Sequence, residues 1–73
     1  MIKVKVDYAS AFEQPREEIE LTTGSIVELK EKVARKLGEN SLCFASAGNL
    51  ILDASAMLAN DQEIFVFPLM AGG

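Results

Sequence analysis

One segment limits the folds open to this chain more than any other. Ile26, Leu29, Val33 and Leu37 recur at spacings of three, four and four, which places them in one stripe of an α-helix. Ser25 and Glu28 before that stripe form an S-x-x-E pair. The serine hydroxyl can accept from a free N–H of the first turn, and the glutamate can reach back. Glu28 precedes Lys32 by four residues and Glu31 precedes Arg35 by four, the favourable order for ion pairs along a helix. Lys36 suits the last turn, and Gly38 suits the left-handed residue that ends it. The pattern predicts a helix over 26–37, and its apolar stripe needs a surface to cover.

The flanking sequence supplies that surface as strands. Ile2, Val4 and Val6 alternate with Lys3, Lys5 and Asp7, and 18–22 alternates again; period two marks strands with one buried face. These two should pair as a hairpin, with 8–15 as a turn region. After the helix, 41–45 reads as a third strand, Ala47-Gly48-Asn49 as a turn and 50–52 as a short fourth strand. Residues 53–57 read as a turn or a single helical turn, and Asn60-Asp61 as another turn. Glu63-Ile64-Phe65-Val66-Phe67-Pro68 is the strongest strand of all. The order is ββαβββ. One helix among these strands covers one face of a sheet, and the first and last strands, the most apolar, belong side by side at its centre. This predicts an α+β architecture of the β-grasp (ubiquitin-like) kind: a mixed sheet with one main helix packed on one face. Residues 1–68 form the single domain and 69–73 a flexible Gly-Gly tail.

Composition removes several functions. The chain has 73 residues, one cysteine, no histidine and a formal charge of −4. A single thiol forms no internal disulfide and holds neither an iron–sulfur cluster nor a cysteine-rich zinc site. Without histidine there is no triad chemistry, and no other catalytic constellation is visible, so we expect no enzyme in its own right. An acidic chain is a poor match for nucleic acid. No apolar run is long enough to span a membrane, and the alternating first residues do not read as a signal peptide, which makes the cytoplasm the expected setting. Asp53, Asp61 and Glu63 do not fit the spacing of a calcium loop, Met57 and Met70 are too few to suggest a metal site, and we expect no metal. Cys43 lies in an apolar strand, where a lone cysteine usually packs as a small hydrophobe.

The last thirteen residues carry a resemblance. The run from Asn60 to Pro68, followed by Gly72-Gly73, resembles the MoaD/ThiS family, the sulfur carriers of molybdopterin and thiamine biosynthesis. Leu52-Asp53 and Leu58 are similar to the family's segment before that turn. Tyr8-Ala9-Ser10-Ala11-Phe12-Glu13 faintly resembles its aromatic-Ala-x-Leu-Arg-Glu motif, with Ala11-Phe12 in place of Leu-Arg. Two features depart from the pattern: one proline, Pro68, where molybdopterin members often have two, and Ser46-Ala47-Gly48-Asn49 where a Val-Asn-Gly type of sequence is usual.

The resemblance implies a carrier whose Gly73 carboxylate is adenylated by a ubiquitin-activating-type adenylyltransferase. That partner consumes ATP; the carrier itself binds no cofactor. The adenylate becomes a thiocarboxylate, and its sulfur passes to a synthase: the large molybdopterin synthase subunit first, a thiazole synthase next. Gly72 and Ala71 would form the tail that threads the activating enzyme, since glycine lets backbone approach a partner closely. Two other readings share the sequence. A protein modifier would pass the same activated carboxyl to lysines, and an interaction module would never activate its tail.

The final strand is apolar on both faces, Ile64 and Val66 on one and Phe65 and Phe67 on the other. With one helix to cover one face, Ile64 and Val66 are assigned to the core with Ile2, Val4, Val6 and the helix stripe. Phe65 and Phe67 then face outward and continue toward Leu69 and Met70 as a partner-binding patch. The alternatives are the opposite parity, or a cover formed by the loop 8–15.

Overall fold

The computed structural model describes residues 1–69. Strand β1 spans Ile2–Tyr8 and β2 Glu17–Leu21, with a 3₁₀ turn at Ser10–Phe12 between them. Helix α1 spans Ile26–Leu37, followed by β3 (Leu42–Ser46), β4 (Asn49–Leu50) and β5 (Glu63–Pro68). The five strands form one sheet in the order β2-β1-β5-β3-β4. β1 runs parallel to β5, and the other neighbours are antiparallel. This is the mixed sheet of a β-grasp fold, with the first and last strands adjacent as their apolarity predicts.

Local chemistry explains α1. Ser25 sits in an extended conformation and its Oγ accepts from Glu28 N at 3.1 Å. Gly38 closes the helix at φ 66°, its N–H donating to Ala34 O at 2.8 Å. The capping box is only half formed. Glu28 does not return to Ser25 N–H, which donates instead to Thr23 Oγ1. Its two carboxylate oxygens reach further back, accepting from Thr22 N, Thr23 N and Thr23 Oγ1, each at 2.7 Å. The glutamate thus binds the helix start to the end of β2. Of the two expected helix ion pairs, Glu28–Lys32 closes at 3.6 Å, while Glu31–Arg35 is not among the ion pairs of the described residues. Ser25→Ala should lower stability by about 1 kcal/mol, the usual cost of losing an N-cap hydroxyl, read as a lower urea midpoint with an unchanged slope.

The core lies between α1 and the sheet. Ile26, Leu29 and Val33 of the helix meet Val4, Val6 and Tyr8 of β1, Leu21 of β2, Phe44 of β3, and Ile64 and Val66 of β5. Leu58 joins them from the loop before β5, while Ile2 and Leu37 pack at the margin. That loop is anchored: Leu58 N–H donates to Gly24 O at 2.7 Å, Asp61 N–H to Lys3 O at 2.6 Å, and Asn60 Oδ1 accepts from Lys3 N. These bonds set the start of β5 beside β1.

β3 begins and ends one residue later than expected, and β4 is shorter. Ala47 and Gly48 both take positive φ, 53° and 81°, the two-residue turn that matches the twist of a hairpin. Asn49 therefore opens β4 rather than closing the turn. Ile51 N–H still donates to Phe44 O, but the chain then turns away. Asp53 Oδ1 accepts from Ser55 N and Ser55 Oγ at 2.9 and 2.8 Å, an Asx turn that ends the strand, and Leu52 is left exposed.

A candidate partner-binding face

β5 is the central strand, so its alternation decides what each face of the sheet shows. Ile64 and Val66 are buried toward α1, while Phe65 is 44% exposed on the opposite, open face and Phe67 is half-buried there. The two rings stack with centroids 5.6 Å apart and an interplanar angle of 25°. Register brings Asp7 and Ala45 beside Phe65, Cys43 opposite Phe67, and Leu50 opposite Ala45. Ala45, Leu50, Phe65 and Phe67 line a shallow groove of about 450 Å³, with Asp7 and Glu63 at its polar margin.

Arg16 frames that margin. Its Nη2 donates to Glu63 Oε1 at 2.8 Å and its Nε lies 3.5 Å from Asp7 Oδ1, so one guanidinium ties together two neighbouring strands. The loop 8–15 does not cover the phenylalanines. Its Phe12 packs against the core and sets its ring edge-on to Tyr8, at 6.5 Å. Cys43 departs from the packed position expected for it: it is half-buried on the open face, because its register opposite Phe67 gives the buried side of β3 to Phe44.

Leu69 continues the strand by one bond, its N–H donating to Ser41 O at 3.0 Å, with its side chain exposed. Met70, Ala71, Gly72 and Gly73, the rest of the expected patch and the whole of the expected reactive tail, lie outside the described residues. Sequence reasoning missed two contributors. Arg16 stands 47 positions from Glu63 with no local pattern to join them, and Leu50 falls in a segment too short to show which side it faces.

The most connected polar cluster lies elsewhere. Tyr8 Oη donates to Glu17 Oε2 at 2.5 Å, and Lys36 Nζ pairs with the same oxygen and stands 5.5 Å from the centre of the Tyr8 ring. Burial, then the bond to Glu17 and its charge, push the Tyr8 hydroxyl pKa well above its ordinary value. Burial works to raise the Glu17 pKa as well, but the bonds from Lys36 and Tyr8 outweigh it and hold the carboxyl below its usual range. The cluster joins the end of α1 to β1 and β2. Among the described residues no group of three or more acidic or cysteine side chains is placed to hold a metal ion, and no helix is long and apolar enough to cross a membrane.

No protein-family model matches the chain, and no match was found among curated proteins. What the geometry offers chemically is a surface: apolar, bordered by charge, and on the strand that leads into 69–73.

Proposed function

We propose that this β-grasp domain is a cytoplasmic sulfur carrier of the MoaD/ThiS type, working through the carboxyl of Gly73 and leaving the catalysis to its partners. One observation carries the reading: the central strand presents a stacked phenylalanine pair, Phe65 exposed and Phe67 half-buried, on an open face and ends at Pro68, a few positions before Gly72-Gly73 in the sequence. A carrier needs a docking face for an activating enzyme and a slender segment that reaches that enzyme's nucleotide. Phe65, Phe67 and Leu69, with Met70 beyond them, supply the first; Ala71, Gly72 and Gly73 supply the second.

In this reading an adenylyltransferase of the ubiquitin-activating type positions the Gly73 carboxylate against ATP. A carboxylate oxygen attacks the α-phosphorus and pyrophosphate leaves. Sulfide then attacks the acyl carbon, AMP departs with the bonding pair, and a thiocarboxylate remains. The synthase that takes this sulfur would be the large molybdopterin synthase subunit, or else a thiazole synthase. Apolar docking suits the exchange of partners that a carrier must make, because a modest exposed patch binds without committing the chain to one complex.

The test is intact mass after incubation with ATP, sulfide and activating enzymes of the molybdopterin, thiamine and ubiquitin types. The expected result is a gain matching one sulfur in place of one oxygen, abolished by deleting Gly73. Phe67→Ala should slow it while lowering the thermal midpoint by only about 4–8 °C, the shift that about 1 kcal/mol makes in a domain of this size. No gain with any of these activators, or a gain indifferent to Gly73, would overturn the proposal. Isopeptide-linked adducts in place of the thiocarboxylate would identify a protein modifier.

A further inference from the structure

β2 is an edge strand, and two of its outward backbone groups are already occupied. In an antiparallel pair, alternate residues turn both N–H and C=O away from the partner strand. Lys32 Nζ donates to Glu20 O at 2.8 Å, and Glu28 Oε2 accepts from Thr22 N at 2.7 Å. Both groups therefore point away from β1, which places Glu18, Glu20 and Thr22 as the outward-turned residues of the edge. Two side chains of α1 thus fill two consecutive hydrogen-bonding positions that a sixth strand would need.

The strand most available to add there is β2 of a second copy. An antiparallel pair centred on Ile19 would set Glu18 of each copy opposite Glu20 of the other. The Glu18 N–H of one copy would then need the Glu20 O of its partner, the atom that Lys32 holds. The two glutamates would also meet like charges directly across the new ladder, a destabilising arrangement. The far edge of the sheet needs less protection, since β4 has two residues, and short edge strands are poor templates.

We infer that Lys32 and Glu28 are a built-in guard on the β2 edge, closing it to strand addition by a second copy of this chain, with Glu18 and Glu20 as the electrostatic half of the same guard. The inference stands apart from the proposed carrier chemistry: it concerns the opposite edge of the sheet from the aromatic groove and needs no activated carboxyl. It accounts for a lysine placed on a backbone carbonyl rather than left in solvent, and for two glutamates, Glu18 and Glu20, at the outward-turned positions of a five-residue strand.

The experiment compares two variants by sedimentation velocity and amide hydrogen exchange, from micromolar protein up to about 1 mM, the weak end of specific association. Glu18→Gln with Glu20→Gln, Lys32 retained, should remain monomeric. Adding Lys32→Met should produce dimers, with the amides of residues 18 and 20 exchanging at least about tenfold more slowly as protein concentration rises, the protection expected of newly paired backbone. Lys32 is half-exposed, so methionine there opens no core cavity. If the glutamine changes prevent folding, Lys32→Met against the parent chain in about 1 M salt makes the same comparison, because the Debye length is then about 3 Å and the glutamates are screened. A folded chain carrying Lys32→Met that stays monomeric once Glu18 and Glu20 are neutralised or screened overturns the inference. So does association that is equal with and without Lys32, or that leaves the amides of 18 and 20 unprotected.

Discussion

Phe44→Ala is expected to cost about 3–5 kcal/mol of stability, the usual range for emptying a buried phenylalanine site, whereas Phe65→Ala should cost only about 1–2 kcal/mol, the scale of a lost aromatic stack and partial burial. Phe44 is 3% exposed and sits opposite Val66 in the β3–β5 pair. Lys30 lies over its ring, 6.0 Å from the centroid, so the lysine stem lies close to the site from the helix side. Truncation leaves a cavity that a sheet and a helix, each held by its own hydrogen bonds, fill only partly. For a domain of this size about 1 kcal/mol moves the thermal midpoint by roughly 4–8 °C, so Phe44→Ala should lower it by about 12–40 °C, enough to bring a small domain close to unfolding. Phe65 is only partly covered, 44% exposed, and loses its stack on Phe67 rather than a place in the core. Urea titrations of the two variants decide the matter. Equal losses would mean that the open face is covered, and the docking role argued for it would fail.

The contrast between these two phenylalanines marks where the sequence is legible. The bounds of helix α1 could be read because the signals for them are local: the 3-4-4 stripe, the Ser25 hydroxyl and the Gly38 stop all act within one or two turns. The parity of β5 could be read because β1 beside it alternates clearly, and one covered face demands one buried set. β3 gives no such clue. Leu42, Cys43, Phe44 and Ala45 are all apolar, so nothing local says whether Phe44 or Cys43 faces the helix. Only the pairing with β5, more than twenty residues later, assigns Phe44 to the core and Cys43 to the open face. The same holds for Leu58, whose burial follows from a loop laced to Gly24 and Lys3 by backbone bonds.

The site divides in a similar way. The phenylalanine pair follows from counting strands against one helix. The groove around it does not: Leu50 reaches it through a turn whose two positive φ angles set the hairpin register, and Arg16 reaches its margin only because β1 and β5 are parallel neighbours. The half-formed capping box adds a further lesson. The S-x-x-E spacing identifies Glu28 as a capping residue, but which N–H groups it takes depends on the path of Thr22 and Thr23 out of the sheet, which is a property of the folded hairpin.

That rearranged cap leads to the second large effect, on acid stability. Bonds from Thr22 N, Thr23 N and Thr23 Oγ1, with Lys32 nearby, hold the Glu28 carboxyl at about 2 against an ordinary 4.5. Between those two values the unfolded chain binds a proton at this site that the folded chain does not. Stability contributed by Glu28 is therefore complete above about pH 4.5 and is lost as pH falls toward 2. Asp53, held low by Ser55, and Glu17, held low on balance by Lys36 and Tyr8, give slopes of the same sign. Glu28→Gln keeps the shape but removes the charge and one acceptor, leaving a single oxygen for three donors. The variant should be less stable at neutral pH, and its unfolding free energy should fall less steeply between pH 4.5 and 2, so that the two curves converge at the acid end. Urea unfolding across that range reads the difference directly. Parallel curves would mean that the carboxylate is not held by the end of β2, and the guard on that edge would then lose the group that occupies Thr22 N.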